Sequence, residues 1–193
     1  MRTRPSLVVT QDLEQPASDE VYEEGTPAIL GATLELLEEF GYDRLRTLDV
    51  SDRSGTQLST ISHLWPTKEG LVADAIRAHA KTLLPPPDDD PIADLRNVYE
   101  SMFQNGGGQV VPGLLAVLRI EPDLAAIVRT EILAPMHDRI RADLAKLLGP
   151  DDPRIDLLVD LGPSLFLYRT VVGEGSGDKE SVSQIIDLIT ACR

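Results

Sequence analysis

The sequence predicts an all-α fold. Apolar residues recur at the three- and four-residue spacing of amphipathic helices, and Gly or Pro stands between most of these periodic stretches. No segment shows the sustained alternation of polar and apolar residues that predicts a half-buried β-strand. With 193 residues, of which 42% are hydrophobic, the chain is long enough for one large or two small domains with a buried core.

The composition narrows the class of protein. A net charge of -14 argues against a protein that coats nucleic acid non-specifically, because such binding depends on attraction to phosphates. The one cysteine, Cys192, cannot form an internal disulfide, and the N-terminus lacks the pattern of a signal peptide, so we expect a cytoplasmic protein. No apolar run approaches the roughly 20 residues of a membrane-spanning helix, so we expect no membrane partner.

The first helix is expected to follow a mobile, polar tail over residues 1–20. Thr26 followed by Pro27 is typical of an N-cap and a first helical position, and Gly41 is expected to end the helix about four turns later. The residues expected on its inward face are Ile29, Thr33, Leu36, Leu37 and Phe40.

Two short helices around one glycine form a helix-turn-helix candidate. Thr47 is suited to cap a helix that runs to Ser54, and Gly55 supplies the permissive backbone for a sharp turn. A helix of about seven residues should follow and end near Trp65, because Pro66 cannot continue it.

A fourth helix is expected to begin after Thr67, which is suited to cap it. Its mostly apolar face contains Val72, Ala75, Ile76, His79 and Leu83. The proline- and aspartate-rich segment 85–91 cannot continue this helix. We therefore predict a domain boundary there, which divides the chain into residues 21–84 and 85–193.

Beyond this boundary, helix-compatible segments alternate with breakers. The segments are 92–104, 110–120, 123–148 with an expected kink at Pro135, 154–172, and 179 onward. The segment 154–172 is apolar on nearly every face, and Gly162 within it permits close approach. Such a helix must bury one side in its own domain and the other against something else, for which a second copy of the chain is the simplest partner.

The region from Ile29 to Ala75 resembles the DNA-binding domain of the TetR/AcrR family. The resemblance rests on "EEFGYDRL" before the turn, Gly55 within it, and "HLWPTKEGLV" after it, all at the family's spacing. The later stretch "DLGPSLFLYRTVV" is similar to the penultimate helix of a common family ligand-binding domain. The resemblance implies about nine helices, a homodimer built from the last two, a pocket between the middle helices, and release from operator DNA when a small molecule binds.

On this basis residues 21–84 are expected to bind double-stranded operator DNA. Ile61 and Trp65 should face the core of the helix-turn-helix, which leaves polar residues of the recognition helix facing outward. The predicted DNA contacts are Arg46, Thr47, Gln57, Ser59, Thr60, Ser62, His63 and Lys68. The alternative for each of them is a solvated surface residue.

The recognition helix departs from the family in its second half. Ser62, His63 and Leu64 stand where an aromatic residue followed by basic residues is usual. These changes remove phosphate contacts, and they support a second hypothesis. In it the chain is a related dimer that has lost strong DNA affinity and acts as a ligand-binding or protein-interaction module.

Residues 85–193 are expected to bind a largely apolar small molecule and to dimerise. The predicted cavity residues are Met102, Phe103, Leu118, Arg119, Ile127, Phe166 and Tyr168, for most of which core packing is the simpler alternative. Arg119 and Tyr168 are the predicted polar contacts of the effector. The predicted dimer contacts are Leu158, Leu161, Leu165, Val182, Ile185, Ile186 and Ile189.

The sequence gives no support for an enzyme, a metal site or a cofactor. The three histidines, His63, His79 and His137, are far apart and match no zinc-ligand spacing. No phosphate-binding loop or nucleophile motif is present, and the carboxylates are too scattered to single out a catalytic pair.

Overall fold

The computed structural model of this chain describes residues 19–105, 121–172 and 179–191. The α-helices are α1 (Asp19–Arg44), α2 (Thr47–Ser54), α3 (Leu58–Leu64), α4 (Lys68–Leu83), α5 (Pro91–Asn105), α6 (Pro122–Val128), α7 (Ala134–Leu148), α8 (Ile155–Val172) and α9 (Lys179–Ala191). These ranges contain no strand, which confirms the all-α prediction. Within the same ranges, every helix falls short of the length and apolar content that crossing a bilayer requires.

Helix α1 begins earlier than the sequence pattern predicts. It starts at Asp19 and passes through Pro27, so the expected N-cap at Thr26 is wrong. Acidic residues at positions 19 and 20 favour this earlier start, because the helix dipole stabilises negative charge at the N-terminus. Gly41 ends the regular helix as predicted, with a φ of 73° that suits glycine. Residues 1–18 of the predicted tail lie outside the described residues.

Helices α1 to α4 form the N-terminal cluster around a shared apolar core. Its buried members are Ile29, Ala32, Leu36, Leu37, Tyr42, Leu45, Val50, Ile61, Leu71, Val72, Ala73, Ile76, Leu124 and Val128. Leu124 and Val128 belong to α6, so this cluster includes residues from beyond the proline-rich segment. The division of the chain at residue 84 therefore stays a prediction.

Helices α5, α7, α8 and α9 form the C-terminal cluster. Its buried members are Leu95, Val98, Tyr99, Met102, Phe103, Ile140, Leu144, Ile155, Leu158, Val159, Phe166, Val182, Ile185, Ile186 and Ile189. Helix α5 lies at the centre of this arrangement, since it contacts α7, α8 and α9.

Most of the side chains predicted to contact a second copy are buried within the chain instead. Leu158 and the apolar stripe of α9, which comprises Val182, Ile185, Ile186 and Ile189, are each at most 6% exposed. Helix α9 packs against α5, and this internal contact uses the face that we had assigned to a partner. Leu161 and Leu165 are partly buried against the same cluster. These side chains therefore pack within the chain, and dimerisation through α8 and α9 stays a prediction.

The helix geometry changes next to Pro135, where the sequence predicts a kink. A π-helical turn, Arg129–Leu133, joins α6 to α7, and Pro135 is the second residue of α7. Proline lacks the N–H that an α-helix interior requires, and its ring clashes with the preceding turn. The wider π-helical turn is a common way to absorb such a defect, and it often occurs at functional sites.

Tyr99 of α5 packs against the backbone of α8 at Gly162. The Tyr99 side chain is fully buried, and a Cβ added at Gly162 would lie 2.9 Å from ring atoms Cδ1 and Cζ and closer still to Cε1. The two helices can approach this closely only because position 162 has no side chain, which is the close approach expected from the sequence.

Gly162→Ala should destabilise the fold, because the buried ring of Tyr99 has to move to accept the methyl group. We expect a loss of about 1–3 kcal/mol in the free energy of unfolding, measured by urea denaturation. Gly31→Ala in α1 is the matched control, since nothing lies within 4 Å of its added Cβ. That change should be neutral or stabilise by up to about 1 kcal/mol. Equal effects of the two changes would contradict the close packing of α5 and α8.

A buried ion pair fixes the proline-rich segment to the C-terminal cluster. Arg139 of α7 donates to both carboxylate oxygens of Asp94 in α5, with its Nε 2.7 Å from Oδ2, and to the carbonyl oxygens of Pro85 and Pro86. Asp94 also accepts from the backbone N–H of Asp88, at 2.7 Å. The hydrogen bonds from Arg139 hold the pKa of Asp94 well below its usual range, despite the opposing effect of burial.

Arg139→Met should cost about 3–5 kcal/mol at neutral pH, because it leaves the Asp94 carboxylate buried without a cation. The pKa of Asp94 is lowered by folding, so the pair stabilises the fold above the unfolded-state pKa, and this contribution is lost as pH falls below about 4. The difference between wild type and variant should therefore shrink in acid, as measured by urea denaturation at several pH values.

Arg141→Met on the same helix is the control. Its partner, Asp156, lies at the surface, so this change should cost less than about 1 kcal/mol at any pH. A similar, pH-independent cost for both variants would show that the Asp94–Arg139 pair has no special role.

Candidate nucleic-acid interface and ligand cavity

The turn between α2 and α3 has the geometry predicted for a helix-turn-helix. Val50 of α2 and Ile61 of α3 are fully buried in the N-terminal cluster, which sets the two helices against the same core. Gly55 adopts a left-handed conformation with a φ of 70°, as expected for a glycine at the end of a helix. Ser51 Oγ donates to the carbonyl oxygen of Thr56 at 2.7 Å and thereby closes the turn.

The start of α4 is tied to both α1 and α3. Thr67 caps the helix as predicted, since its hydroxyl oxygen accepts from the N–H of Gly70 at 3.1 Å. The Trp65 indole N–H donates to Asp74 at 2.9 Å. Helix α4 therefore fixes the end of α3.

Tyr42 connects the end of α1 to the same turn of α4. Its hydroxyl donates to Glu69 at 2.8 Å, and Lys68 Nζ donates to the Tyr42 carbonyl oxygen at 3.1 Å while lying 4.1 Å from the ring centroid. Burial and the hydrogen bond to Glu69 raise the pKa of the Tyr42 hydroxyl. Lys68, predicted to contact DNA, is thus already engaged within the chain.

The other predicted DNA contacts are mostly exposed. Gln57, Ser59, Ser62 and His63 form an exposed polar face of α3 and its N-cap, which we call the recognition surface. Thr60 and Thr47 are half-buried. Thr47 is the first residue of α2 and does not cap it; Arg46 occupies the N-cap position, without a side-chain capping bond.

The arginines near the recognition surface are held by carboxylates of the chain. Arg46 makes two hydrogen bonds to Asp49, with its Nε 2.8 Å from Oδ2, and this pairing lowers the pKa of the Asp49 carboxyl. Arg53 lies 2.7 Å from Glu39 and 3.3 Å from Glu35 in α1. The arginine side chains remain partly or largely exposed, but their charge is balanced locally.

A cavity of about 310 Å³ lies between α4, α5, the segment from α6 to α7, and α8. Its lining residues are His79, Ala80, Leu83, Leu84, Val98, Met102, Val128, Glu131, Ile132, Leu133, Met136, His137, Asp160, Pro163, Ser164, Phe166 and Leu167. The lining is mostly apolar, and the volume is at the lower end of the range for small-molecule sites.

The structure places the predicted cavity residues in different environments. Met102 and Phe166 line the cavity, whereas Phe103 is buried behind it in edge-to-face contact with Phe166, at 5.5 Å between ring centroids. Ile127 packs against the N-terminal cluster instead. Tyr168 is 60% exposed and is not among the described lining residues, so its role as a polar contact of an effector stays a prediction. Leu118 and Arg119 lie outside the described residues.

The sequence analysis missed the contribution of α4 to the cavity. His79, Ala80 and Leu83 lie on its last turns, and His79 is half-buried there. Burial lowers the pKa of the His79 imidazole. One signal was available in the sequence: His79 is the only titratable residue on the apolar face of the fourth helix.

Helices α8 and α9 also expose apolar side chains on their outer faces. Leu157 is 72% exposed, and Tyr168 and Val172 follow at helical spacing along the same side of α8. Leu188 of α9 is 52% exposed. We call these four residues the outer apolar face. Within the described ranges, no group of three or more His, Cys, Asp or Glu side chains is arranged to hold a metal ion.

Comparison with known proteins agrees with this architecture. Residues 29–75 match the family model described as bacterial regulatory proteins, tetR family. The chain is 26% identical over 177 residues to YdeS, an HTH-type transcriptional regulator of Bacillus subtilis, covering 86% of this chain and 87% of YdeS.

Two solved structures share the fold. A Rhodococcus transcriptional regulator superposes with a TM-score of 0.68 at 18% identity, over 86% of this chain and 94% of that one. The flavonoid-responsive regulator FrrA superposes with a TM-score of 0.63 at 20% identity, over 86% and 92% of the two chains. The relatives named here are regulators, and none is described as an enzyme.

Proposed function

We propose that the chain is a TetR-family transcriptional regulator, a repressor that binds a near-palindromic operator as a homodimer and is released by a small, largely apolar effector. The observation that carries this proposal is the position of α4. The first turns of α4 belong to the N-terminal cluster, and its last turns line the cavity.

This position supports a direct mechanical coupling between the cavity and the recognition surface. Leu71, Val72 and Ile76 pack α4 against the core that also holds α2 and α3. Val128 of α6 belongs to the same core and also lines the cavity. A ligand that displaces the end of α4 or of α6 therefore moves α2 and α3 as well. If the ligand binds this displaced arrangement more tightly than the ligand-free arrangement, it shifts the population of the protein towards the displaced one.

The recognition surface is suited to DNA contact by polar groups rather than by a high density of cations. Glutamine, serine and histidine side chains can donate to or accept from base edges and phosphates. Arg46 forms an ion pair with Asp49, and Arg53 forms one with Glu39. These carboxylates compensate the positive charges, so non-specific attraction to phosphates should be weak. This favours a regulator whose affinity depends strongly on the operator sequence.

The outer apolar face supports dimerisation. Leu157, Tyr168 and Val172 lie along one side of α8, and Leu188 is exposed on α9, which contacts α8; large apolar side chains are costly to leave in water. A two-fold dimer through this face would present two recognition surfaces. Half-sites about 34–36 Å apart would then lie in successive major grooves of one DNA face.

Fluorescence anisotropy with labelled duplexes that cover the DNA flanking the gene tests operator binding. We expect one duplex to bind at least about 1,000-fold more tightly than its scrambled counterpart at the same salt concentration. The double change Gln57→Ala and His63→Ala should weaken specific binding about tenfold or more, because base contacts are lost, and should leave binding to the scrambled duplex nearly unchanged.

Gln184→Ala, an exposed change on α9, is the control and should bind like the wild type. Equal affinity of the wild type for both duplexes would overturn the repressor proposal. It would favour the alternative in which the chain is a ligand-binding or protein-interaction module without strong DNA affinity.

The oligomeric state tests the outer apolar face. Leu157→Glu combined with Leu188→Glu should convert a dimer into a monomer in sedimentation-velocity experiments, because two charges on each chain would lose hydration in the interface. Leu48→Glu is the matched control, since Leu48 is 49% exposed on α2 and belongs to the other end of the molecule. If the double variant remains dimeric like the Leu48→Glu control, the dimer interface lies elsewhere on the chain.

A further inference from the structure

The described wall of the cavity carries negative but no positive side chains. Glu131 of the π-helical turn and Asp160 of α8 line it, and both are exposed at the cavity mouth. No lysine or arginine occurs among the described lining residues. An anionic ligand would therefore lose its hydration without gaining a cation from this wall, and it would be repelled by two carboxylates.

Glu131 and Asp160 have no cationic partner among the residues that the structure describes. Within the part of the chain that the structure describes, neither Glu131 nor Asp160 forms an ion pair or hydrogen bond, whereas nearby Asp156 pairs with Arg141 at 2.7 Å. This difference matters because a carboxylate that already pairs with an arginine attracts a cationic ligand only weakly. Glu131 and Asp160 remain available to one.

The interior of the cavity suits the apolar part of such a ligand. Met102 and Met136 have flexible, polarisable side chains that adapt to irregular shapes, and the Phe166 ring provides a flat apolar surface. Aromatic faces and carboxylates both attract cations. His79 also lines the cavity, and burial lowers the pKa of its imidazole, which disfavours a positive charge that would repel a cation.

We propose that the effector is a lipophilic cation, an apolar molecule with one positively charged nitrogen that Glu131 and Asp160 hold at the mouth of the cavity. This inference rests on the proposed function, because it specifies the chemical class of the effector. The cavity of about 310 Å³ limits the apolar part to the size of a small aromatic or alkyl group.

Calorimetric titration of the full chain without DNA tests the ligand class. The probes are phenylbutylamine, phenylbutanol and phenylbutanoate, which share one apolar body and differ in the charge of one end. We expect the amine to bind at least about tenfold more tightly than the carboxylate, with the alcohol between them. In the double variant Glu131→Gln and Asp160→Asn, the amine should fall to the affinity of the alcohol, and the affinity of the alcohol itself should not change.

Asp138→Asn is the control, since this exposed carboxylate of α7 does not line the cavity, and it should preserve the preference for the amine. Preferential binding of the carboxylate, no binding of the amine, or a preference unchanged in the double variant would each overturn the inference. The fluorescence anisotropy experiment measures DNA binding independently of the calorimetric titration. Loss of operator specificity with a retained amine preference would therefore reject the repressor and keep the ligand class.

Discussion

The architecture depends on one helix that serves two cores. Helix α4 begins in the N-terminal cluster, where Thr67 caps it and Tyr42, Lys68 and Glu69 fix its first turn. It ends at the cavity, where Leu83 and His79 form part of the wall. Because α4 is one continuous helix of 16 residues, the position of one end constrains the other. The helix-turn-helix therefore cannot adopt an orientation that is independent of the cavity.

The packing of the helices also places many basic side chains beside carboxylates of the same chain. The chain carries a net charge of -14, and half of the lysines and arginines in the described residues form ion pairs with carboxylates of the chain. Arg139 offsets the buried Asp94, and Arg53 offsets Glu35 and Glu39 beside the helix-turn-helix. The positive charges of Arg46 and Arg53 are thus compensated by carboxylates of the same chain, so this part of the surface offers little net attraction to an anionic partner.

Local features of the fold could be predicted because they depend on neighbouring residues. Gly55 and Thr67 act as expected, since a left-handed turn and an N-cap need only a few residues of context. The same local reasoning failed at Thr26, because a proline that suits a first helical turn is also tolerated here inside α1.

The faces of the last helices and the cavity could not be predicted in this way. An apolar stripe such as Val182 to Ile189 shows that one side of a helix is buried, but not whether its own chain or a partner covers it. Tyr168 was assigned to the cavity for its residue type, although its position on α8 turns it outward. The inclusion of His79 in the cavity depends on how α4 packs against α5, α6 and the π-helical turn, and these contacts between distant parts of the chain are not encoded by the local pattern of α4.

The length of the π-helical turn Arg129–Leu133 determines which side chains of this segment face the cavity. A π-helical turn holds one more residue per hydrogen-bonded ring than an α-helical turn, and each residue of an α-helix rotates the chain by about 100°. A homologue lacking a single residue here would keep its helix-turn-helix sequence intact but rotate Glu131 away from the cavity. A change of one residue in length at this turn would therefore alter which side chains line the cavity and leave the sequence of the helix-turn-helix unchanged.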